Sequence, residues 1–263
     1  MAHALRTRRG LGRWAQTWAG VATVLVLAEL ASRTGLLPQR YFPPVTEMFT
    51  ALFAALGEPW FWLATGQTLQ GWVLGLGIAA LLAVPAGMLL GTSVVRYRAF
   101  RAVIEFLRPI PSVALVPLAI LVYGAGLESK VFLAVFAAFW PLLIQTLYGM
   151  QDVDPVAVDT ARAFRLTRAE RITRVVLPGA VPYVATGLRI SSSVALILAV
   201  TAELVIGSPG LGREINAARV GGAADLLYAL IIVTGLIGWG LNSMFAAAER
   251  RVLHWHPSQR GAR

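Results

Sequence analysis

The chain has 263 residues, of which 57% are hydrophobic and only 14% are charged. Soluble domains have about 45–50% apolar and about 25% charged residues, so this composition disfavours an ordinary soluble protein. The formal net charge of +10 comes from basic residues in four separate segments, and this division disfavours a nucleic-acid-binding surface.

Six apolar segments follow one another along the chain. About 20 mainly apolar residues cross the hydrocarbon core of a bilayer as a helix. The predicted spans are about 14–32, 68–95, 104–124, 131–149, 187–206 and 226–248. The first and fifth contain an acidic residue toward their end, Glu29 and Glu203, and the third contains Glu105 at its start. We therefore predict an all-α polytopic membrane protein with one transmembrane domain over residues 1–263; a soluble all-helical core is the alternative.

The basic residues predict the orientation. If the spans alternate, 18 of the 23 Lys and Arg residues fall on one side, which the excess of positive charge marks as cytoplasmic. Both termini and the arginine-rich segment 159–180 are then cytoplasmic, where the arginines contact anionic headgroups. A cleaved signal peptide at the N-terminus is the alternative, and it would leave five spans and invert this topology.

The segments before the fourth span are marked by turns, aromatic residues and prolines. Residues 45–56 predict a short interfacial helix within a first outer loop, followed by Trp60 and Trp62 at the headgroup boundary. The second span is rich in glycine, which favours close packing against other helices. In the third span, Pro117 indicates either a packing kink or a broken helix that lines a pathway.

The segment "DTARAFRLTRAERITRVVLPGA" begins at Asp159, and the chain around it predicts two short helices. Asp154 and Pro155 start the first helix as N-cap and first helical residue. Thr167 and Glu170 fit a capping box for the second helix, which should end before Pro178. Two interpretations remain open: a helix pair lying on the membrane with its arginines on phosphates, or a surface that docks on a partner.

This segment resembles the "EAA---G---------I-LP" loop of bacterial ATP-binding-cassette importer permeases. Asp159, Thr160 and Ala161 match the E-A-A positions and Arg165 the glycine position, and Val175, Leu177 and Pro178 match the end. The flanking stretches "LRPIPSVALVPLAILVYGAGLESKVFL" and "GLRISSSVALILAVTAELVIGSPGLGREINAA" are similar to the subfamily that imports nitrate, taurine and alkanesulfonates.

The resemblance implies a function for the loop. In that family the loop, here 151–181, is a coupling helix that docks in a cytoplasmic ATPase subunit. The residues carried over are Asp159, Thr160, Ala161, Arg162, Phe164, Arg165, Leu166, Leu177 and Pro178. Two of them depart from the motif: Asp159 is shorter than the family's glutamate, and Arg165 replaces a glycine. If residue 165 is left-handed, a non-glycine side chain costs roughly 1–2 kcal/mol.

The resemblance also implies the partners and the location. They are a separate ATPase subunit, an extracytoplasmic solute-binding protein and a second copy of the permease, in the bacterial cytoplasmic membrane. The sequence has no G-x-x-x-x-G-K-[ST] loop for ATP, and its only lysine, Lys130, is predicted on the outside. Its histidines are terminal (His3, His254 and His256), and it has no cysteine. We expect neither an enzyme nor a metal site nor a bound cofactor.

Pro117 and several polar residues inside the spans are the candidates for a translocation pathway. The polar candidates are Gln145, Ser191, Ser192, Thr201 and Glu203. An intramembrane carboxylate indicates function by default, but Glu203 also fits a boundary residue that bonds to a neighbouring helix. Two other functions stay open: a membrane-anchored scaffold whose basic loop binds lipid, and an ion-coupled secondary transporter.

Overall fold

A computed structural model describes the backbone of residues 2–253 and the side chains from residue 18 onward. The regular elements of this part of the chain are helices. They are α1 (Ala2–Arg33), α2 (Val45–Leu56), α3 (Pro59–Gly91), α4 (Val94–Leu107), α5 (Val116–Tyr123), α6 (Leu127–Gln151), α7 (Pro155–Ala163), α8 (Arg168–Arg171), α9 (Leu177–Ile206), α10 (Leu211–Gly221) and α11 (Ala224–Val252). The expectations for His254, His256 and the last arginines fall outside these residues.

Several helices are long and apolar enough to cross a membrane. Within the described residues these are α3, α6, the continuous stretch Arg168–Ile206 and α11, and a bent pair of shorter helices brings the number to five. The first predicted span lies inside α1, a helix of 32 residues that is not among these five. The all-α membrane architecture is confirmed, and "about six" spans is an approximation.

The third predicted span, 104–124, is broken into two helices. The chain forms α4, a 3₁₀ turn at Ser112–Leu115 and then α5, and the two halves are bent by 80°. Pro109 and Pro111 lie in the break, where their rings exclude regular helical hydrogen bonding. Pro117 stands in the first turn of α5, so it begins a helix and does not kink one.

The second span begins earlier than expected. Helix α3 starts at Pro59, so Trp60 and Trp62 belong to its first turn and not to a preceding loop. Before it, α2 occupies the residues predicted for a short helix. The indole of Trp62 donates to the carbonyl of Leu56 at 3.0 Å, which closes the turn between α2 and α3.

Glycines bring α3 close to α6. A Cβ atom on Gly75 would lie 2.5 Å from Cβ of Ala134, and one on Gly87 would lie 2.7 Å from Cβ of Thr146. Gly71 and Gly91 likewise meet Lys130 and Met150, so each contact joins residues 59 positions apart. The two helices therefore pack in parallel through small residues, as the glycine-rich sequence of α3 predicted.

Helix α9 packs on the same α6. The hydroxyl of Ser191 donates to the carbonyl of Ala138 at 2.7 Å, and the Trp72 indole of α3 donates to the carbonyl of Ser192 at 3.0 Å. The buried residues between the three helices are small or aliphatic, including Ala134, Ala138 and Ala195. Helices α3, α6 and α9 thus form the core that positions the polar groups described below.

The described chain divides into two compact units. One comprises the residues up to Trp62 together with Glu214–Val233, and the other comprises Leu63–Arg213 together with the residues from Thr234 onward. In the first unit, Glu29 of α1 pairs with Arg33 at 2.5 Å and accepts the backbone N–H of Thr46 at 3.1 Å. This unit contributes none of the residues of the sites that follow.

Candidate functional site: a coupling loop, a buried ion pair and a polar cavity

The loop after α6 begins with helix α7, whose N-terminus is capped as predicted. The Asp154 carboxylate accepts the backbone N–H of Val156 at 2.8 Å, and Pro155 follows at the first helical position. Ala161 is buried, whereas Asp159, Thr160 and Arg162 are exposed. The helix therefore rests on its small residue and leaves its polar side chains accessible.

The turn after α7 is left-handed at an arginine. Arg165 has φ +58°, and it is the only non-glycine residue in the described chain with a positive φ. The N–H of Arg165 donates to the carbonyl of Arg162 at 2.8 Å, and the N–H of Leu166 donates to Ala161 at 3.0 Å. These two bonds form a Schellman motif, which normally has glycine at this position. The expected strain at residue 165 is therefore present.

An aromatic side chain stands out at this turn. Phe164, the residue after α7, is 78% exposed, and Val156 in the first turn of α7 is also exposed. Large exposed apolar side chains are typical of contact surfaces when they lie together. The exposed Asp159 pairs with Arg162 at 2.8 Å within the helix.

The second helix of the loop starts as predicted but ends differently. Thr167 and Glu170 form the reciprocal capping box. The helix does not stop before Pro178, because a π-helical turn at Ile172–Val176 leads directly into α9. Proline in a regular helix clashes with the carbonyl four residues earlier. The wider turn, together with the position of Pro178 in the first turn of α9, avoids that clash.

Most of the loop's arginines bond to the protein near them. Arg174 lies 3.6 Å from Glu170, and Arg168 donates to the carbonyl of Thr92, at the end of α3, at 3.5 Å. Leu166 and Leu177 are half-buried, and Pro178 is exposed. The loop therefore contacts the end of α3 and is continuous with α9.

At the opposite end of α9, two charges are buried together. Lys130 Nζ lies 2.8 Å from Glu203 Oε1, and both residues are at most 1% exposed. Lys130 also donates to the carbonyls of Gln67 at 2.9 Å and Pro209 at 2.8 Å, so all three of its protons have acceptors. Lys130, which the sequence predicts on the outer side of the membrane, is thus buried within the protein.

The other carboxylate oxygen of Glu203 is equally satisfied. Glu203 Oε2 accepts the Thr68 hydroxyl at 2.8 Å and the N–H of Gly212 at 2.9 Å. The Thr68 oxygen in turn accepts the N–H of Leu211 at 2.9 Å. Two free N–H groups at the start of α10 are thus capped by side chains from α3 and α9, where a helix end favours negative charge.

Glycines make room for this network. A Cβ on Gly71 would lie 2.7 Å from the Lys130 stem, and one on Gly212 would lie 2.7 Å from Cβ of Glu203. Gly210, with φ +149°, passes so close to the Glu203 carboxylate that a side chain there would overlap it. The buried pair therefore fixes α3, α6, α9 and the turn before α10 to one another.

The remaining pathway candidates lie in different surroundings. Ser191 and Ser192 are buried between helices, and Thr201 bonds within its own helix to the Ile197 carbonyl at 2.7 Å. Pro117 is exposed. Gln145 lines a cavity of about 360 Å³ between α6, α9 and the break after α4. The structure thus does not bring the six candidates together, and Gln145 is the one beside this cavity.

Sequence reasoning missed the partner of Glu203 and the other polar residues of the cavity. Arg108, Ser112 and Trp140 line the cavity together with Gln145. A signal for the ion pair was available, since Lys130 is the only lysine and Glu203 the only acid in its span. No signal in the sequence indicated the cavity, because the cavity depends on the bend between α4 and α5. Among the described residues, no group of His, Cys, Asp and Glu could hold a metal ion.

Comparison with known proteins defines the class to which this arrangement belongs. Residues 83–254 match the family described as "Binding-protein-dependent transport system inner membrane component". The match covers more than half of the chain, so the chain belongs to this family of transport permeases. The family is a permease component of transport systems and not a catalytic subunit.

Individual relatives are similar in sequence to this chain over most or nearly all of its length. The taurine transport system permease protein TauC of Escherichia coli K12 is 30% identical over 263 residues, covering 96% of each chain. The putative aliphatic sulfonates transport permease protein SsuC of Bacillus subtilis is 28% identical, covering 99% of this chain and 95% of its own. The nitrate import permease protein NrtB of Leptolyngbya laminosa is 30% identical over 73% of this chain and 69% of its own.

Solved structures support the same fold. A chain of the inward-facing MetNI methionine ABC transporter aligns with a TM-score of 0.65 at 18% identity, covering 74% of this chain and 98% of its own. A chain of an amino acid ABC transporter crystallised with histidines gives a TM-score of 0.60 at 20% identity, covering 74% of this chain and 92% of its own.

Proposed function

We propose that this chain forms the translocation pathway of an ATP-driven importer for a small oxyanion of the sulfonate, taurine or nitrate type. The observation that carries the proposal is the similarity along almost the full length to permeases named for taurine and aliphatic sulfonates. The chain is then one transmembrane domain, and its coupling loop is 151–181. A proposal for another class of solute would need relatives that are named for that class.

A separate ATPase subunit supplies the energy through the coupling loop. The exposed Phe164, the carboxylate of Asp159 and the small Ala161 form a helix end that can enter a groove on a partner. The capped start of α7 and the Schellman turn at its end hold this short helix in shape. The anchors of the loop on α3 and α9 support transmission of its movement to the spans.

The other partners follow from the same class. An extracytoplasmic binding protein delivers the solute, and two copies of the permease enclose the pathway between them. The large exposed side chains on the apolar helices, such as Leu121 of α5 and Trp239 of α11, suit contact with lipid or a second copy. The uneven distribution of arginines supports cytoplasmic termini and a cytoplasmic coupling loop.

The transport cycle alternates between two orientations of the pathway. Binding of ATP draws the two coupling loops together and opens the pathway toward the binding protein, and hydrolysis returns it to the cytoplasmic side. A ligand can shift the protein between these two orientations only if it binds one of them more tightly than the other. The loop leads into the start of α9, and Val194 and Leu198 farther along this helix line the cavity beside Gln145, so α9 connects the loop and the cavity.

Reconstitution tests the proposal. The permease is placed in proteoliposomes with a candidate ATPase and binding protein, and uptake of labelled taurine, ethanesulfonate and nitrate is measured. We expect uptake of at least one of these anions only when ATP and the binding protein are both present. Uptake that follows an imposed ion gradient without ATP would indicate a secondary transporter. Lipid binding by the loop without any uptake would favour a scaffold.

A further inference from the structure

The cavity beside Gln145 has an unusual set of polar groups. Arg108, Ser112, Trp140 and Gln145 line it, and its other walls are apolar residues of α6 and α9. Arg108 is the last residue before the break between α4 and α5, so the bend of 80° places its guanidinium beside the middle of α6. A volume of about 360 Å³ exceeds that of a small organic anion.

The indole of Trp140 lacks a hydrogen-bond acceptor. Its Nε1 atom is shielded from solvent and has no partner among the described residues. An indole N–H can only donate, and buried donors without an acceptor are rare in folded proteins. The Trp140 side chain also lines the cavity, so its indole N–H resonance reports on what occupies the cavity.

Arg108 adds an unneutralised positive charge. No carboxylate lies within 4.0 Å of it in the described part of the chain, and none is among the residues that line this cavity. The acid that shares a neighbouring cavity with Arg108 is Glu105, and it pairs with Arg101 at 2.6 Å. The guanidinium therefore keeps N–H donors available, in a fork that suits two oxygens of an anion.

We propose that this cavity binds a small organic sulfonate during transport. The sulfonate oxygens accept hydrogen bonds from the Arg108 guanidinium, with Ser112 and Gln145 completing the shell beside the Trp140 side chain. The alkyl group lies against the apolar wall formed by Val194 and Leu198. This inference rests on the proposed function, and it assigns solute recognition to a face remote from the Glu203 carboxylate, whose oxygens are already satisfied.

The test observes the indole directly. The full chain is labelled with ¹⁵N at its tryptophan indoles and purified in dodecyl maltoside, where its eight tryptophans give separate N–H resonances. The Trp140 resonance is identified by its absence from Trp140→Phe. We expect it to shift and saturate on titration with sodium ethanesulfonate, and to stay in place with sodium chloride at equal ionic strength.

A matched pair of variants tests the role of the charge. Arg108→Gln should weaken the apparent affinity on the order of tenfold or more, as expected for the loss of a charge-assisted hydrogen bond. Arg98→Gln removes an exposed arginine of the same helix that is not among the residues lining the cavity, and it should leave the titration unchanged. If both variants weaken the apparent affinity equally, the proposed site is wrong.

A lipid phosphate has similar chemistry and is the competing occupant. In a parallel titration, dihexanoyl phosphatidylglycerol replaces ethanesulfonate. A Trp140 response to the lipid alone would overturn the proposal, and so would no response to either compound. If the resonance stays fixed while ATP-driven uptake is observed in proteoliposomes, this site is wrong and the proposed function stands. If it moves while uptake fails, the site stands and the importer assignment is wrong.

Discussion

At the scale of single residues, Lys130 and Glu203 form an ion pair that no solvent reaches. Removing one member of such a pair leaves a buried charge without compensation, which costs about 3–5 kcal/mol. We expect Lys130→Met to lower the free energy of unfolding by about that amount, measured by denaturation in detergent micelles.

Controls separate this pair from a general effect of charge. Arg213→Met removes an exposed positive charge next to Gly212 and should change stability little. The double variant Lys130→Met/Glu203→Met should lower the free energy of unfolding by less than the sum of the two single variants, because neither charge is then left without its partner. Strict additivity of the two single effects would contradict the pairing.

Arg165 is a second residue whose effect follows from the backbone. An L-residue in the left-handed region costs about 1–2 kcal/mol, and glycine avoids this while gaining some freedom in the unfolded chain. We expect Arg165→Gly to slow hydrogen exchange at the amides of residues 165 and 166, whose bonds close the turn. Arg165→Ala retains the strain and should not slow exchange; equal protection in both variants would show that the strain is absent.

At the scale of elements, the contact between α3 and α6 depends on where the glycines lie. Gly75 faces Ala134 at a distance that leaves no room for a methyl group, whereas a Cβ on Gly77 would have no neighbour within 4 Å. Gly75→Ala should destabilise the protein by about 1–3 kcal/mol through overpacking. Gly77→Ala should be neutral or slightly stabilising, since alanine favours helices.

Thermal unfolding of the two variants in the same detergent checks this comparison. The two glycines are two positions apart on one helix, so the substitution, the membrane depth and the helix are matched. A similar melting temperature for both would contradict the close approach of α3 to α6.

Local signals in the sequence predicted several elements well. The caps at Asp154 and Thr167 depend on neighbouring residues, and both form as expected. The bend after α4 and the continuation past Pro178 depend on how helices pack and on a π-helical turn, which no local pattern specifies. The partner of Glu203 lies 73 residues away, so no local pattern specifies it, although a single lysine in the chain and a single acid in the fifth span are a signal for the pair.

At the scale of the whole molecule, composition and motif predicted the class of protein. The apolar segments indicated an all-α membrane fold, and the loop resembled that of importer permeases, which the family match confirms. The predicted pathway residues remain a proposal. Polar side chains in apolar spans serve equally for packing, as Ser191 does, and for a cavity, as Gln145 does.

The central claim is that the loop at 151–181 docks on an ATPase, and a pull-down tests it most directly. The tagged chain is co-expressed with a candidate ATPase and purified in detergent, and the ATPase activity of the co-purified protein is measured. Asp159→Arg reverses an exposed charge on α7, and Glu128→Arg makes a similar reversal at the opposite end of α6. We predict that the wild type and Glu128→Arg retain the ATPase and that Asp159→Arg loses it. Equal retention by all three forms would contradict docking through this face, and recovery of every form without the ATPase would contradict the coupling role of the loop.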